Sequence, residues 1–410
     1  MLRKFLFLAA GLLGCAFVAP ASVNAADAAK LAAPAKKFTL PPSAPSKNQP
    51  YALNVVYFVP ADMEPFPDYE RRISEIMLSL QEFYGSEMER NGFPNRTFGL
   101  SKSKDGKRVN IITIKAKLSG AEYPYSGSAG KVLSEVNEFF SGKKAPKKLS
   151  DHTLIIMPST SGNDLDPGGV PFYGLGRNCF ALDYPEFDLK HIGKKDQLGR
   201  LFTKWYGGMG HELGHGLNLP HNSGKVSDDK KLGTALMGWG NYTLGTSPTF
   251  ITRAHASILD QCQVFRTTEM PKTPAPNVDK PKEIAIRFLP EGVWICGILP
   301  EKNRVEHVLV YYDKDECNSV NGDYDAESFV AKFDKRTQMF KAAIPTNEIH
   351  RGKTGVFQIR LRLINDDGTC SIIRYNFDES YKQDVLEPAD TKLADIEPPS
   401  SKKGKGPAKK

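Results

Sequence analysis

The chain has 410 residues and a formal net charge of +8, with 40% hydrophobic and 25% charged residues. This composition supports hydrophobic cores for two domains and excludes a fully disordered chain, a collagen-like chain and a polytopic membrane protein. The charge does not indicate nucleic-acid binding, because much of the excess lies at the extreme N-terminus and in five lysines among the last nine residues.

Residues 1–25 have the features of a secretory signal peptide. A basic start is followed by apolar residues up to Val18 and by small residues before Ala26. We therefore expect a secreted or periplasmic protein whose mature chain has no membrane span. Lipoprotein anchoring at Cys15, which follows Leu-Leu-Gly, is the alternative. Residues 26–50 are rich in Ala, Pro, Lys and Ser and are predicted to form a flexible leader.

Residues 51–270 are predicted to form an α/β (α+β) domain, because strand-like and helical periodicities alternate along them. The segment at 197–217 is helical but rich in glycine, so we expect close packing or a bound ion to hold it. The predicted strands are 53–59, 109–118, 154–157 and 179–184, and the predicted helices are 68–91, 128–141, 197–217 and 251–265, the last capped by Thr252.

The sequence beyond residue 270 changes character. Prolines mark a linker at 271–282, and residues 283–380 contain seven short β-rich segments separated by turn residues. These predicted strands are 284–288, 293–298, 305–312, 328–333, 339–344, 356–364 and 371–377. Seven such strands indicate a β-sandwich of the immunoglobulin-like type. Residues 381–410 are predicted to be a Lys-rich disordered tail.

Three of the eight histidines lie within eleven residues around a single glutamate. His211 and His215 are four residues apart, so on a helix both face one side and can bind one zinc ion. Glu212 lies between them, within reach of a water on the metal. Because Pro220 cannot continue the helix, the backbone must turn to bring His221 to the same ion.

These residues resemble the metzincin zinc peptidases, whose pattern is His-Glu-x-x-His-x-x-Gly-x-x-His followed by a methionine turn. Asn218 stands at the glycine position, where we expect a positive φ. The resemblance implies a twisted mixed sheet, an active-site helix, a Met-turn at Met237 and one catalytic zinc. It also implies that substrate lies along strand 179–184 as the edge strand. Tyr242 is a candidate transition-state stabiliser, with packing as the alternative.

We therefore predict an exported zinc endopeptidase that hydrolyses protein or peptide substrates by zinc-bound water, with Glu212 as the general base. The alternative is an exported glycan- or protein-binding adhesion protein with a vestigial peptidase domain. Its candidate aromatic residues are Trp294, Tyr311 and Tyr312, for which core packing is the other interpretation. The sequence does not fix the oligomeric state.

Two further features remain open in the sequence. After the predicted signal peptide five cysteines remain, so at least one is unpaired or forms an intermolecular bond. Two acidic clusters have two interpretations, either as calcium-binding sites or as simple polar turns. These are Asp164 with Asp166, and Asp313 with Asp315, Asp323 and Asp325.

Overall fold

The computed structural model describes residues 49–314, 324–350, 355–380 and 382–397. The predicted signal peptide, almost all of the leader and the last 13 residues of the tail lie outside this range. The described residues form a mixed α/β structure with several sheets and five α-helices. We call residues 49–270 the N-terminal part and residues 271–397 the C-terminal part.

The N-terminal part contains a five-stranded sheet of β1 (Asn54–Val59), β2 (Ile112–Lys115), β3 (Thr153–Pro158), β4 (Gly174–Leu175) and β5 (Asn178–Asp183). The strand order is β2-β1-β3-β5-β4, with β4 antiparallel to the four parallel strands. Every residue of β1 and β3 is buried. This is the pattern of central parallel strands covered on both faces.

The α-helices of this part are α1 (Tyr69–Arg90), α2 (Ala129–Ser141), α3 (Gln197–Gly216), α4 (Val226–Leu232) and α5 (Arg253–Gln261). Helices α1 and α2 follow β1 and β2 and supply the crossovers that parallel strands require. Helix α3 packs on β4 and β5. Thr252 caps α5 as predicted, since its Oγ1 accepts from the amide of His255 at 3.2 Å. Short strands β6 (Thr234–Ala235) and β7 (Thr249–Phe250) pair in parallel between α4 and α5.

The prediction of a strand at 179–184 is confirmed, but the prediction that it is the edge strand is wrong. Strand β5 is paired on both sides, by β3 and by β4, so the edge is β4. A strand of two residues leaves no periodic pattern, and β4 lies in a stretch rich in glycine and proline that reads as a loop.

The C-terminal part consists of two antiparallel sheets of orders β11-β10-β14-β15 and β12-β13-β9-β8-β16, and most of their buried apolar side chains belong to one hydrophobic cluster. Their strands are β8 (Glu283–Leu289), β9 (Gly292–Ile298), β10 (Val305–Lys314), β11 (Glu327–Val330), β12 (Lys332–Asp334), β13 (Met339–Pro345), β14 (Val356–Asn365), β15 (Cys370–Asp378) and β16 (Val385–Glu387).

Two sequence predictions differ from this arrangement. The segment predicted as one strand at 328–333 divides at Ala331 into β11 and β12, which belong to different sheets. The tail predicted as disordered from residue 381 forms strand β16, which pairs with β8, and Leu393 beyond it is buried. Three paired residues are too few to be recognised in a polar sequence.

Side chains of the C-terminal part are buried in the hydrophobic core of the N-terminal part. The hydrophobic cluster under the first sheet includes Leu309, Tyr311, Ala326 and Ile364 of the C-terminal part. Residues 271–282 contain no helix or strand, yet Val278 within them is 4% exposed. The connection is therefore packed against its neighbours and is not a free tether.

A search of the described helices for a membrane-spanning segment finds none of sufficient length and apolarity.

His152 lies under the C-terminal end of α3 and makes the stability of the fold depend on pH. Its Nδ1 is 2.7 Å from the carbonyl oxygen of Gly216, and its Nε2 is 3.7 Å from Cys262 Sγ. Burial lowers the pKa of His152 from its ordinary value of 6.5 to about 4. The unfolded chain therefore takes up this proton at a higher pH than the folded protein, so stability falls as pH drops from 6.5 towards 4.

We predict that protonation of His152 in the unfolded chain lowers the free energy of unfolding by about 2 kcal/mol when the pH falls from 7 to 5. His152→Asn keeps a donor near the position of Nδ1 but cannot titrate, so its stability should vary less with pH. Denaturant unfolding of both proteins at the two pH values measures the difference. Identical pH dependence in parent and variant would contradict the prediction.

Candidate metal centre

Helix α3 carries the first two histidines, and its glycines allow neighbouring elements to approach closely. A Cβ added at Gly214 would lie 2.4 Å from Met237 Sδ, so a larger residue there would require that buried methionine to move. A Cβ added at Gly174 of β4 would lie 2.2 Å from His215 Cβ. Close packing therefore holds this glycine-rich helix, which is one of the two predicted explanations.

The three predicted histidines come together. One ring nitrogen from each of His211, His215 and His221 lies within 4.8 Å of the others, and the Nε2 atoms of His215 and His221 are 2.9 Å apart. Among the residues described, this is the one group of three or more His, Cys, Asp or Glu side chains close enough to hold a metal ion.

Backbone carbonyls fix the tautomers of the two helical histidines. Nδ1 of His211 is 2.8 Å from the carbonyl oxygen of Leu236, and Nδ1 of His215 is 2.8 Å from that of Leu219. A carbonyl can only accept, so each Nδ1 carries the hydrogen and each Nε2 keeps its lone pair for a metal. Burial also lowers the pKa of both rings, that of His211 to about 3, which keeps them neutral. Neutral imidazoles with free Nε2 atoms fit a zinc ion.

The turn that returns the chain towards the metal centre begins at Asn218, whose φ is 72° as predicted. The amide of Asn218 donates to the carbonyl of His215, and the amide of Leu219 donates to that of Gly214, both at 2.9 Å. These two bonds form a Schellman motif, which normally has glycine at the left-handed position. Asparagine tolerates this conformation better than other non-glycine residues, so the departure from the metzincin pattern is accommodated.

Glu212 lies in the cleft beside the histidines. Its Oε2 accepts from the amide of Gly174 on β4 at 2.9 Å. Burial raises the pKa of Glu212 to about 7, against the smaller lowering effect of the Gly174 hydrogen bond. A carboxyl group with this pKa can take up and release a proton near neutral pH.

Met237 is fully buried and its sulfur lies against Gly214 of α3. Its role as a methionine turn stays a prediction. Leu236, the residue before it, supplies the carbonyl that binds His211.

Tyr242 does not reach the histidines in this structure. It is 58% exposed, and its ring centroid lies 6.5 Å from that of Trp239. The tyrosine next to the metal centre is Tyr324, whose ring stacks on His221 with a centroid distance of 3.6 Å. Sequence reasoning missed Tyr324 because it lies 103 positions beyond His221, in the C-terminal part, and belongs to no motif.

A cleft of about 690 Å³ passes over the centre. Aromatic and polar side chains from both parts line it together with the backbone of β4. The lining residues are Tyr125, Phe172, Tyr173, Gly174, Gly176, Glu212, His215, Asn218, Leu219, Pro220, His221 and Tyr324.

The other predicted sites gain less support. Asp164 and Asp166 join no three-residue cluster of metal-binding side chains within the described ranges, and Asp313 pairs with Arg360. Asp315, Asp323 and Cys317 lie outside those ranges. The four cysteines that the structure does describe are Cys179, Cys262, Cys296 and Cys370, and none of them forms a disulfide.

We predict that Asn218→Gly binds zinc about as tightly as the parent, because glycine adopts positive φ without strain. Asn218→Val should weaken zinc binding by about tenfold or more, since a β-branched residue at this φ costs about 1–3 kcal/mol. Competition with a chromophoric chelator measures both affinities. Equal binding by the valine variant would show that the turn does not control the third ligand.

No family model matches the sequence, and no curated protein matches it. Solved structures do match. Wild-type OgpA from Akkermansia muciniphila is 46% identical, with a TM-score of 0.78 over 85% of this chain and 100% of that chain. Catalytically inactive OgpA in complex with an O-glycopeptide substrate, glycodrosocin, is 45% identical with a TM-score of 0.78 over 85% of this chain and 100% of that chain. With this identity over the whole length of the OgpA chain, the protein belongs to the same family as OgpA.

Proposed function

We propose that the protein is an exported zinc-dependent endopeptidase that cleaves O-glycosylated peptides or proteins. The observation that carries this proposal is the convergence of His211, His215 and His221 beside the buried carboxyl group of Glu212. Export is inferred from the N-terminal sequence alone.

Zinc is the metal that best suits this donor set. His211, His215 and His221 would hold the ion as three imidazole ligands, which would leave one position for water or substrate, as in catalytic zinc sites. When bound, zinc supplies Lewis acidity, which polarises a scissile carbonyl and makes water a stronger acid.

The residues of the chain then provide proton transfer and orientation. Glu212 takes the proton from the attacking water and later gives it to the leaving amine. The amide of Gly174 holds the Glu212 carboxyl group against β4 at 2.9 Å, which orients it towards the cleft. Because β4 is the edge of the sheet, an extended peptide can align beside it and bring its carbonyl to the metal centre.

The glycosylated substrate class is supported by the likeness to OgpA, whose inactive form was crystallised with an O-glycopeptide substrate. Exposed aromatic rings also lie near the cleft, and exposed apolar surface beside a groove is one mark of a ligand-binding site. Tyr125 is 56% exposed and packs edge to face with Tyr173, and Trp239 is 63% exposed. Aromatic faces of this kind stack on the apolar faces of sugar rings.

The adhesion alternative loses its candidate residues. Trp294, Tyr311 and Tyr312 are 4%, 0% and 5% exposed, so they pack in the interior and cannot stack on a glycan. A functional carboxyl group at position 212 is also unnecessary for a protein that only binds.

We predict that Glu212→Ala keeps its zinc and its fold but cleaves a susceptible glycopeptide about 10²- to 10⁴-fold more slowly, because it lacks the general base. His211→Ala should lose the metal and the activity together. Elemental analysis and a cleavage assay with and without chelator separate the two variants. Unchanged cleavage by Glu212→Ala would assign the reaction to another base or to a contaminant.

A second prediction concerns substrate class. The parent should cleave an O-glycosylated peptide and leave the same peptide without its sugar uncut. Tyr125→Ala should lower kcat/KM for the glycopeptide by about tenfold, which corresponds to about 1.4 kcal/mol and is the size of one lost aromatic contact, whereas Tyr125→Phe should keep it. Mass spectrometry of the digests measures both. Equal cleavage of the two peptides would reject the glycopeptide proposal while leaving a peptidase intact.

A further inference from the structure

The third histidine is not on helix α3, and the segment that follows it is bound to the C-terminal part. The amide of Ser223 donates to the carbonyl of Ala326 at 2.8 Å, and Ser223 forms a parallel β-bridge with Glu327. Ser223 Oγ also donates to the carbonyl of Asp325 at 3.2 Å. The chain two residues after His221 is therefore held by the backbone that leads into β11.

Asn222 makes a second connection at the same place. It is fully buried, and its Nδ2 donates to Ser328 Oγ of β11 at 2.7 Å and to Thr252 Oγ1 at 2.8 Å. The residue next to the third histidine thus joins both parts of the protein. A buried amide loses its interactions with water, so these two bonds strongly fix its position.

Tyr324 covers the ring of His221 itself. The two rings are inclined by 23°. The ring of Tyr324 also stacks with that of Trp239, with 5.5 Å between the two ring centroids. This stack restricts the rotation of the imidazole about its side-chain bonds. Tyr324, Ser328 and the backbone between them therefore contact three consecutive residues, 221 to 223.

We propose that residues 324–328 of the C-terminal part position His221 for metal binding, so that the metal centre is complete only with both parts in contact. This inference rests on the proposed zinc site and adds a role for the C-terminal part. After Pro220 the segment has no helical or sheet hydrogen bonds of its own until the bridge at Ser223. Within the N-terminal part Asn222 is held by its backbone amide, which donates to the Met237 carbonyl at 3.3 Å, and by its side-chain bond to Thr252. Residues 324–328 add the contacts to His221 and Ser223, and without them these two residues would lose more conformational entropy each time His221 bound a metal.

The experiment uses the full chain and variants outside the ligand segment. Tyr324→Leu removes the stacked ring, Tyr324→Phe keeps the ring without its hydroxyl, and Ser328→Ala removes the acceptor for Asn222. Phe333→Leu is the matched control, because Phe333 is a partly buried aromatic residue of the same part that packs in its core. Zinc affinity by chelator competition and hydrogen exchange of the Ser223 amide are measured for each.

We expect Tyr324→Leu to weaken zinc binding by about 10- to 100-fold, as outer-shell substitutions do, and Tyr324→Phe to stay within about twofold of the parent. Ser328→Ala should speed exchange of the Ser223 amide in the metal-free protein and weaken zinc binding. Phe333→Leu should change neither. Equal zinc affinity of Tyr324→Leu and Phe333→Leu would overturn the proposal.

Exchange of amides in β14 shows whether Tyr324→Leu has simply unfolded. In that event the proposal is tested by the zinc affinities of Ser328→Ala and Tyr324→Phe, each compared with that of Phe333→Leu. If the parent binds no zinc, the proposed function fails by itself. The exchange measurement still tests positioning in that event: faster exchange at Ser223 in Ser328→Ala supports it, and unchanged exchange overturns it.

Discussion

The metal centre depends on one geometric constraint, which is that three imidazole nitrogens must meet within 4.8 Å although their residues span a helix, a turn and an irregular segment. Two of them meet because helical residues four apart share a face. The third requires the left-handed residue Asn218 and the Schellman bonds that end α3. Carbonyl oxygens of Leu236 and Leu219 then orient the two helical rings. A substitution that shifts any of these backbone groups would therefore move the ring nitrogens of the three histidines relative to one another.

Burial shifts the pKa values of the histidines and of the glutamate in this cleft in opposite directions, and both shifts favour the neutral form of the side chain. It lowers the pKa of His211 and His215 and raises that of Glu212, because the low-dielectric surroundings disfavour the charged form of each. The imidazoles are therefore neutral and ready to bind a cation without releasing protons. The carboxyl group has its pKa near neutrality, where a group can both accept and return a proton. Among the described residues that line the cleft, Glu212 is the one carboxylate, and it lies beside the histidines.

The sequence predicts well what local patterns determine. Helix α3, the spacing of its histidines, the cap at Thr252 and the positive φ of Asn218 all follow from residue types within a few positions of each other. The predictions were wrong for short segments whose secondary structure depends on pairing with strands that are distant in the sequence. Strand β4 exists because β5 and helix α3 lie beside it, and β16 because β8 offers an open edge. The contact of Tyr324 with His221 is of the same kind, since a separation of 103 residues produces no periodic signal.

The contact between the two parts explains why a β-rich region follows the helical one without a free linker. Tyr311 and Ala326 are buried in the hydrophobic cluster of the N-terminal part, and Asn222 is bonded to both parts. Separating the parts would expose these apolar side chains and leave the Asn222 amide without one of its acceptors, and both changes are unfavourable. The packing that joins the two parts is therefore the same packing that orders the segment carrying His221. One interface therefore both buries apolar side chains of the two parts and holds the residues that follow His221.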